Sequence, residues 1–498
     1  MEIIIEKNPL KEQGIVFVPF FKDYIENIEN SEKMPAFYTK ALWKLIKKSL
    51  DSKEFKGKFS EISYFTVEAE NLPDKVVFVG CGEKSKFDGK SARNIGAEIC
   101  STAKLYKQQK IAILPSPEFK KYMEELVEGI YLKNYRISKY KTGEDFEKEH
   151  KKDIKKIVLI TEKDKELLAE AQKGLVIAQA TNIAKDFVNG PANITDAEYF
   201  ERVAKQLSKD YGYKMQVFDK EKLVKDGWGG LLAISQGAFK PAKCIVVEYN
   251  GGKSSDKPIV IVGKGIIFDT GGYNLKPTRF IEDMHSDKAG ASALIGILSA
   301  LKELKIKQNV TCVIPLAENM IDGKALRPDD VITMLNGKTV EITNTDAEGR
   351  VILGDALAYG AKLNPKYLLD IATLTGAAIY ALGDRYAAVI GNDDDLIEKL
   401  KKSGKEVDEN LWELPLDKEH KEKMKSPVAD LRNGDEGTAH LAGSSKGAAF
   451  LSYFIEDCKW AHIDIAGTAY TRDPKKYEQM GGTGFGVRGL IRFLESLK

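Results

Sequence analysis

The chain has 498 residues, too many for one ordinary hydrophobic core, so its length predicts two or three domains. Hydrophobic residues make up 43% and charged residues 30%, which is typical of a soluble globular protein and excludes a disordered one. The 76 basic side chains nearly balance the 74 acidic ones, and a net charge of +2 creates no field that favours nucleic acid or an anionic membrane.

The N-terminal segment and the cysteines indicate a cellular compartment. Residues 1–7 (MEIIIEK) include acidic side chains and no long apolar core, so we expect no signal peptide. No apolar run reaches membrane-spanning length. The five cysteines are scattered without metal-ligand spacing, which is typical of buried thiols in a reducing compartment. These features predict a cytoplasmic protein without a membrane partner.

Residues 1–163 are predicted to form a smaller N-terminal α/β domain. Short apolar runs at 76–79, 111–114 and 157–160 predict strands, with helical spacing between them. This alternation is typical of a mostly parallel sheet with helices on its faces. A helix over 164–188 is predicted to connect this domain to the next.

Residues 189–498 are predicted to form a larger C-terminal catalytic α/β domain. Helical and strand patterns alternate again, and the central sheet is expected to be mostly parallel or mixed. Its predicted strands lie at 244–248, 259–262, 310–314, 367–371 and 460–465. All candidate functional residues fall in this domain.

Residues 344–350 (NTDAEGR) concentrate charge in a short segment. If the segment is extended, Asp346, Glu348 and Arg350 project from one face, while only small residues occupy the other. In isolation such a pattern is typical of a solvated edge strand, because most charged residues are exposed. A second polar cluster upstream changes this interpretation.

The upstream cluster begins where the predicted strand 259–262 ends. Lys264 and Asp269 follow that strand, and Lys276 and Asp287 come after them. In open α/β sheets, ligands bind beyond the carboxyl ends of the strands. Carboxylate oxygens suit divalent cations, and several carboxylates together can bridge two ions about 3.5–4 Å apart. Together with the acidic segment downstream, the cluster predicts a site for divalent cations.

The roles of the two lysines stay open at this level. A lysine is either a structural ion-pair partner of the carboxylates or, beside two cations, a neutral amine that itself binds metal. A lysine further out can stay charged and stabilise an oxyanion. The near absence of histidine argues against a site with a single zinc ion.

These motifs resemble the leucyl aminopeptidase (cytosol aminopeptidase) family of dimetal exopeptidases. The segment NTDAEGR is that family's signature, and further matches cover most of residues 165–498. They are VGKGI at 262–266, ENM at 318–320, GKA at 323–325, RP at 327–328, ATLTGA at 372–377, WAHIDIAGTA at 460–469 and TGFG at 483–486. Similarity over the first 163 residues is weaker.

The resemblance implies a set of metal ligands. One metal, the more tightly bound, would be held by Lys264, Asp269, Asp287 and Glu348. The more exchangeable metal would be held by Asp269, Asp346 and Glu348, so that two carboxylates bridge the ions. The implied cofactors are two divalent ions per subunit, either zinc or manganese, with cobalt and magnesium as further candidates.

The resemblance also implies a mechanism, in which a metal-bridging water attacks the first peptide carbonyl while the free α-amino group of the peptide binds a metal. Lys276 and Arg350 match the catalytic positions: Lys276 would support the oxyanion, and a bicarbonate at Arg350 would shuttle the proton. A soft apolar pocket favours Leu or Met as the first residue. Substrate contacts are implied for Met284, Asn344, Thr373, Leu374 and Gly376.

The family implies a homohexamer of two stacked trimers that acts on peptides with a free N-terminus. Alternatives are a dipeptidase of the Cys-Gly type, a hexameric DNA-binding protein with secondary peptidase activity, and an inactive scaffold. The balanced charge argues against nucleic acid, and the intact set of site residues argues against a scaffold. The chain departs from the family pattern at Lys288, where many members carry Met, at 273–275 and at Lys446.

The remaining polar residues near these motifs are predicted to be structural. His285 should point away from the cluster if its segment is extended, and His462 and Asp464 are expected in the core. Ser444 and Ser445 lack a plausible histidine partner, which argues against a serine hydrolase.

Overall fold

The computed structural model describes residues 1–7, 13–29, 40–51, 55–66, 73–137, 139–162, 164–434 and 441–497. They form two compact units, Met1–Gln179 with Pro474–Gln479, and Ala180–Asp473 with Met480–Lys498. The division therefore falls within the long helix that follows the first sheet. The predicted boundary after residue 163 stays a prediction, and residue 163 itself lies outside the described part of the chain.

The first unit is an α/β structure built on six strands among its described residues. Their order is β1-β6-β5-β2-β4-β3, and all neighbours are parallel except β3 and β4. The elements are β1 (Glu2–Glu6), β2 (Ile15–Phe21), α1 (Lys22–Glu29), α2 (Lys40–Asp51), β3 (Ile62–Thr66), β4 (Lys75–Gly82), α3 (Gly89–Leu105), β5 (Lys110–Ile113), α4 (Met123–Asn134), α5 (Glu144–His150), β6 (Lys156–Ile160) and α6 (Lys165–Asn189).

The inner strands of this sheet are apolar and buried, whereas the edge strands β1 and β3 are partly exposed. β2 (IVFVPFF) is buried along its whole length, and so is the centre of β4. Strands buried on both faces read as continuous hydrophobic runs instead of alternating ones. This explains why the apolar runs predicted as strands coincide with β4, β5 and β6, although β5 ends at Ile113, one residue before the predicted run 111–114 ends.

The second unit contains the remaining elements of the described chain. They are α7 (Ala197–Tyr211), β7 (Lys214–Phe218), α8 (Lys220–Asp226), α9 (Gly229–Ile234), β8 (Lys243–Asn250), β9 (Ile259–Gly263), β10 (Gly265–Asp269), α10 (Thr278–Ile281), α11 (Ala289–Ala300), β11 (Asn309–Asn319), β12 (Val331–Thr333), β13 (Thr339–Glu341), α12 (Glu348–Lys362), β14 (Tyr367–Ala372), α13 (Gly376–Leu382), β15 (Tyr386–Gly391), α14 (Asp394–Glu406), β16 (Asn410–Glu413), α15 (Lys418–Glu422), β17 (Leu431–Arg432), α16 (Gly443–Leu451), β18 (Trp460–Asp464), β19 (Tyr470–Thr471), β20 (Gly481–Gly482) and α17 (Val487–Ser496).

The main sheet of the second unit is mixed. Its order is β16-β15-β18-β14-β9-β11-β8-β7, with β10 paired to β11. The centre is parallel, from β11 through β9 and β14 to β18, whereas β8 and β15 join it in the antiparallel sense. The predicted fold class, two α/β domains of which the second has a mostly parallel or mixed sheet, is confirmed.

The parallel centre brings five strand ends to one edge of the sheet. β9, β10, β11, β14 and β18 end at or just before Lys264, Asp269, Asn319, Thr373 and Asp464, respectively. Polar side chains from segments up to 200 residues apart in sequence therefore meet beyond the carboxyl ends of these strands, where α/β sheets bind ligands.

Candidate active site

The acidic segment 344–350 is a turn followed by the start of a helix, so the expectation that it is extended is wrong. Residues 344–347 form the turn, and α12 begins at Glu348. Ala347 at the N-cap has no side chain able to cap the helix, so the usual sequence signal for a helix start is missing. Glu348 in the first turn is favoured by the helix dipole. Glu348 and Arg350 thus approach the site from helical backbone.

Gly349 lets a lysine side chain enter this turn of the helix. A Cβ atom at Gly349 would lie 2.5 Å from Cε and 2.6 Å from Nζ of Lys264, too close for any side chain. The small residue at position 349 therefore makes room for a side chain from another segment.

Lys264 joins three segments of the site. Its Nζ lies 2.8 Å from Oδ2 of Asp287 and 3.0 Å from Oε1 of Glu348, and it donates a 2.8 Å hydrogen bond to the carbonyl of Thr373. Burial disfavours the charged ammonium, but the carboxylates of Asp287, Glu348 and Asp269 outweigh burial and raise the pKa of Lys264. In this arrangement Lys264 is a fully paired cation.

Lys276 neutralises the other side of the cluster. Its Nζ lies 2.9 Å from Oδ2 of Asp269 and 2.5 Å from Oδ1 of Asp346. Burial again disfavours the ammonium, and Asp269, Glu348 and Asp346 outweigh it, so the pKa of Lys276 is raised. Two lysines thus face four carboxylates, and the cluster keeps an excess of negative charge.

The donor set fits divalent cations. Oxygen atoms of Asp269, Asp346 and Glu348 all lie within 4.8 Å of one another. Oε2 of Glu348 is buried without a hydrogen-bond partner among the described residues. Burial, followed by repulsion from Glu348 and Asp269, raises the pKa of Asp346 to about 7, and burial raises the pKa of Asp287 to about 7. Oxygen ligands with uncompensated charge suit hard or borderline dications.

Two loops that carry these carboxylates are tied together by Thr345 and Asn319, which lie within the sequence motifs but were assigned no role from the sequence. Oγ1 of Thr345 donates to the carbonyl of Gly271 over 2.7 Å and accepts from the backbone N–H of Asn274 over 2.8 Å. Gly271 has φ +87°, which favours glycine. The side-chain amide of Asn319 donates to Oδ1 of Asp269 over 2.8 Å. These contacts fix the loop after β10 against the turn before α12.

Asn433 supports the same turn from the other side. Its Oδ1 accepts from the N–H of Thr343 over 2.9 Å, and its Nδ2 donates to the carbonyl of Asn344 over 2.7 Å. Its own carbonyl accepts from Nη1 of Arg350 over 3.0 Å. No sequence signal indicates Asn433, because it reaches the turn only through the pairing of β13 with β17.

A pocket of about 710 Å³ opens over the cluster. Its lining includes every residue predicted for metal binding, catalysis or substrate contact, namely Lys264, Asp269, Lys276, Met284, Asp287, Asn344, Asp346, Glu348, Arg350, Thr373, Leu374 and Gly376. The structure therefore brings all the predicted site residues together. It also adds an apolar rim of Leu275, Phe280, Ile379 and Tyr380.

Asp464 and His462 lie behind this pocket. Asp464 is fully buried, and its carboxylate accepts from the N–H of Leu374 over 3.1 Å and from Oγ1 of Thr375 over 2.6 Å. Nδ1 of His462 lies 2.5 Å from Oδ1 of Asp370, and the ring is fully buried in the core. Asp464 thereby shapes the turn between β14 and α13.

His285 differs from the expectation in its backbone. It lies in the single 3₁₀ turn Met284–Ser286 and not in an extended segment, and its ring packs edge-on against Tyr470 with centroids 5.9 Å apart. His285 does not take part in the contacts of Lys264, whose Nζ donates to the carboxylate of Asp287 and to the carbonyl of Thr373.

Family comparison agrees with this geometry. The model of the cytosol aminopeptidase family, catalytic domain, matches residues 182–491, and that of the family's N-terminal domain matches residues 16–144. The chain belongs to the cytosol aminopeptidase family. It is therefore an aminopeptidase, a hydrolase, and the resemblance indicated by the sequence motifs is confirmed.

Relatives of this aminopeptidase match it over 91% of its length. A probable cytosol aminopeptidase of Syntrophotalea carbinolica is 38% identical over 464 residues, covering 91% of this chain and 92% of the relative. One from Protochlamydia amoebophila is 39% identical, covering 91% and 92%, respectively. Among solved structures, the bottromycin maturation enzyme BotP in complex with Mn matches with a TM-score of 0.82 and 28% identity, covering 97% of this chain and 99% of BotP.

In the part of the chain that the structure describes, no helix combines the length and apolar character needed to cross a bilayer.

Proposed function

We propose that this aminopeptidase binds two divalent cations and uses them to cleave the first peptide bond of peptides with a free N-terminus. The proposed ligands are the carboxylates of Asp269, Asp287, Asp346 and Glu348 and the amine of Lys264, which would lose its proton when a cation binds beside it. The proposal depends on one observation above all: carboxylate oxygens of three residues from two segments converge within 4.8 Å, and one buried oxygen of Glu348 has no partner among the described residues. The Mn in BotP supports divalent metal in a protein of the same fold.

When bound, two such cations lower the pKa of a water molecule and polarise the scissile carbonyl. Lys276 keeps its proton, because the surrounding carboxylates raise its pKa, and it is close enough to the cluster to donate to a developing oxyanion. Glu348 pairs with Lys264 and Asp269 pairs with Lys276, and each of the two carboxylates also raises the pKa of the other lysine, so both lie between the two positive groups and are suited to bridge two ions.

Arg350 is proposed to hold bicarbonate as the proton shuttle. Its guanidinium is held in place by the carbonyl of Asn433, which accepts from Nη1 only. The group borders the pocket, and the planar fork of an arginine pairs with a planar anion through two hydrogen bonds. Activity measured with and without added bicarbonate in degassed buffer tests this role.

The pocket is proposed to favour Leu or Met as the first residue. Met284 and Leu374 supply a soft apolar lining, and a Cβ atom at Gly376 would meet no other atom within 4 Å. Thr373 and Asn344 border the same space with polar groups. An apolar side chain of medium length is therefore expected to gain most from burial.

One experiment tests the metal proposal directly. Metal content is measured by mass spectrometry and hydrolysis of Leu-amide is assayed before chelation, after chelation, and after reloading with Zn, Mn, Co or Mg. We expect two ions per chain, loss of hydrolysis on chelation, and recovery with at least one of these ions. Hydrolysis that is unaffected by complete removal of metal would exclude the proposal.

A pair of variants completes the test. Asp346→Ala and Glu348→Ala should abolish hydrolysis while the circular dichroism spectrum stays native.

Comparing the hydrolysis of Cys-Gly with that of longer peptides that begin with Leu distinguishes an aminopeptidase preference from a dipeptidase preference.

We further propose, from family membership, that the enzyme is a cytoplasmic homohexamer of two stacked trimers. Analytical ultracentrifugation of the metal-loaded enzyme tests the assembly. A monomer or dimer at micromolar concentration would contradict it.

A further inference from the structure

Lys288 is a completely buried lysine at the back of the pocket. Its side chain has no exposed surface, and Nζ donates to the carbonyl of His285 over 2.6 Å and to the carbonyl of Gly190 over 2.9 Å. Burying a lysine side chain is costly unless its N–H groups are all used. Here they connect two segments that are 98 residues apart.

One of these segments is the turn that borders the substrate pocket. Met284 in this turn lines the pocket, and Asp287 at its end accepts from Oγ1 of Thr373 over 2.7 Å. The carbonyl of His285, which Lys288 binds, lies between them in sequence. A displacement of this carbonyl would therefore move Met284, whereas the carboxylate of Asp287 keeps its contacts with Lys264 and Thr373.

The other end of the turn is held by a second cation. Asp283 adopts φ +64°, a conformation that residues other than glycine rarely take. Its Oδ2 accepts from Nε of Arg472 over 2.9 Å, and the hydroxyl of Tyr470 lies 3.5 Å from its Oδ1. The turn has only two backbone hydrogen bonds of its own, from Ser286 and Asp287. Its conformation therefore depends on these external contacts.

We propose that Lys288 and Arg472 are positioning residues that clamp the turn 283–287 from both ends and thereby determine how closely the pocket fits the first side chain of the substrate. This inference rests on the proposed function in one respect, namely that Met284 borders the side-chain pocket. Neither residue contacts the substrate or the reacting atoms in this role.

A methionine at position 288 separates positioning from packing. Lys288→Met keeps the length and nearly the volume of the side chain, and volume-conserving changes are the best tolerated in a core. It removes the N–H donors and leaves the carbonyls of His285 and Gly190 without this partner. If Lys288 only filled space, Lys288→Met would behave like the parent enzyme.

The test compares kcat/KM for Leu-amide and Gly-amide in Lys288→Met, Arg472→Leu and the double variant. Gly-amide has no side chain to fit, so its hydrolysis reports the chemistry alone. We expect the Leu/Gly ratio to fall about tenfold in either single variant, mainly through KM for Leu-amide, because one well-fitted apolar group is worth roughly that much. Lys302→Met, which removes a 2.7 Å hydrogen bond to the carbonyl of Tyr211, is the matched control and should leave the ratio unchanged.

Hydrogen exchange supplies a readout that does not depend on activity. Amides of residues 283–288 should exchange faster in Lys288→Met and Arg472→Leu than in the parent. An unchanged Leu/Gly ratio, an equal loss for both substrates, or unchanged exchange would each overturn the proposal. Arg472 is exposed, so Arg472→Leu carries the test if Lys288→Met does not fold. If the parent enzyme hydrolyses neither amide, the proposed function fails, and the exchange experiment still decides whether the clamp exists.

Discussion

Lys264 reaches the acidic cluster because residue 349 has no side chain. The contact links the end of β9 with the first turn of α12, and it places an amine between Asp287 and Glu348. The absence of a Cβ atom at Gly349 thus allows the end of β9 and the first turn of α12 to contribute to the same site.

Gly349→Ala is predicted to disable the site without unfolding the protein. The added methyl group would lie 2.6 Å from Nζ of Lys264, so the lysine must leave its place between the carboxylates. Alanine is also a better helix former than glycine, so the helix itself should not suffer. We expect less than the full metal content and a loss of Leu-amide hydrolysis. Gly323→Ala, at a position with nothing within 4 Å, is the control. Normal metal content in Gly349→Ala would contradict this prediction.

Lys276→Met is predicted to reduce kcat for Leu-amide by a factor of roughly 100 to 1,000, the effect of losing one oxyanion donor. Metal content should persist, because removal of this ammonium leaves Asp269 and Asp346 free to bind cations. The exposed Lys324→Met serves as the control. A turnover close to that of the parent would show that Lys276 has only a charge-balancing role.

At the scale of secondary structure, much of the architecture follows from local pattern. Two strands that carry the site, β9 (IVIVG) and β10 (GIIFD), are apolar runs ended by glycine and by aspartate, and β14 (YLLDIA) is apolar except for Asp370. Such runs can be recognised in the sequence because the strands are buried on both faces. The segment 344–350 was interpreted wrongly because alternation of charged and small residues fits a strand, while the start of α12 lacks a capping side chain.

The roles of the residues that support the ligands could not be predicted from the sequence, for a different reason. Asn433 and Asn319 act on partners that are 50 to 90 residues away, and only the strand pairings bring them close. A single asparagine outside a periodic pattern gives no local signal of the distant partner to which it will hydrogen-bond. The family motifs contain the ligands and also Asn319 and Thr345, but a motif assigns no supporting role to these two residues, and Asn433 lies outside the motifs.

Thr345→Val is predicted to loosen the junction between the loop after β10 and the turn before α12. Valine has the same shape, but it cannot donate to the carbonyl of Gly271 or accept from the N–H of Asn274. The unfolding free energy should fall by about 1–3 kcal/mol, the cost of unsatisfied buried groups, and the affinity for metal should fall as well. Thr311→Val in β11 is the control. Unchanged metal affinity measured by calorimetry would refute a positioning role for Thr345.

At the scale of the whole molecule, the predicted metal ligands all belong to one of the two units. Among the described residues, the three-carboxylate group in the second unit is the single cluster of its kind. Ligand binding stabilises only the part of a protein that folds to make the site. The two units should therefore respond differently to metal.

Chelation is predicted to weaken the second unit selectively. With metal at about 100 times its dissociation constant, binding contributes about 2.7 kcal/mol, which chelation removes. Hydrogen exchange followed by mass spectrometry should show faster exchange in peptides of residues 180–473 and little change in residues 13–137. Equal acceleration in both units would contradict this assignment.

The ammonium groups of Lys264 and Lys276 already act as internal counterions for the acidic cluster. A newly made chain can accordingly complete its fold before any ion arrives, since the carboxylates do not repel one another unchecked. Metal binding to the folded protein would then replace the positive charge of ammonium groups with the positive charge of metal ions. The identity of the metal would reflect the supply at that moment and not a choice made during folding.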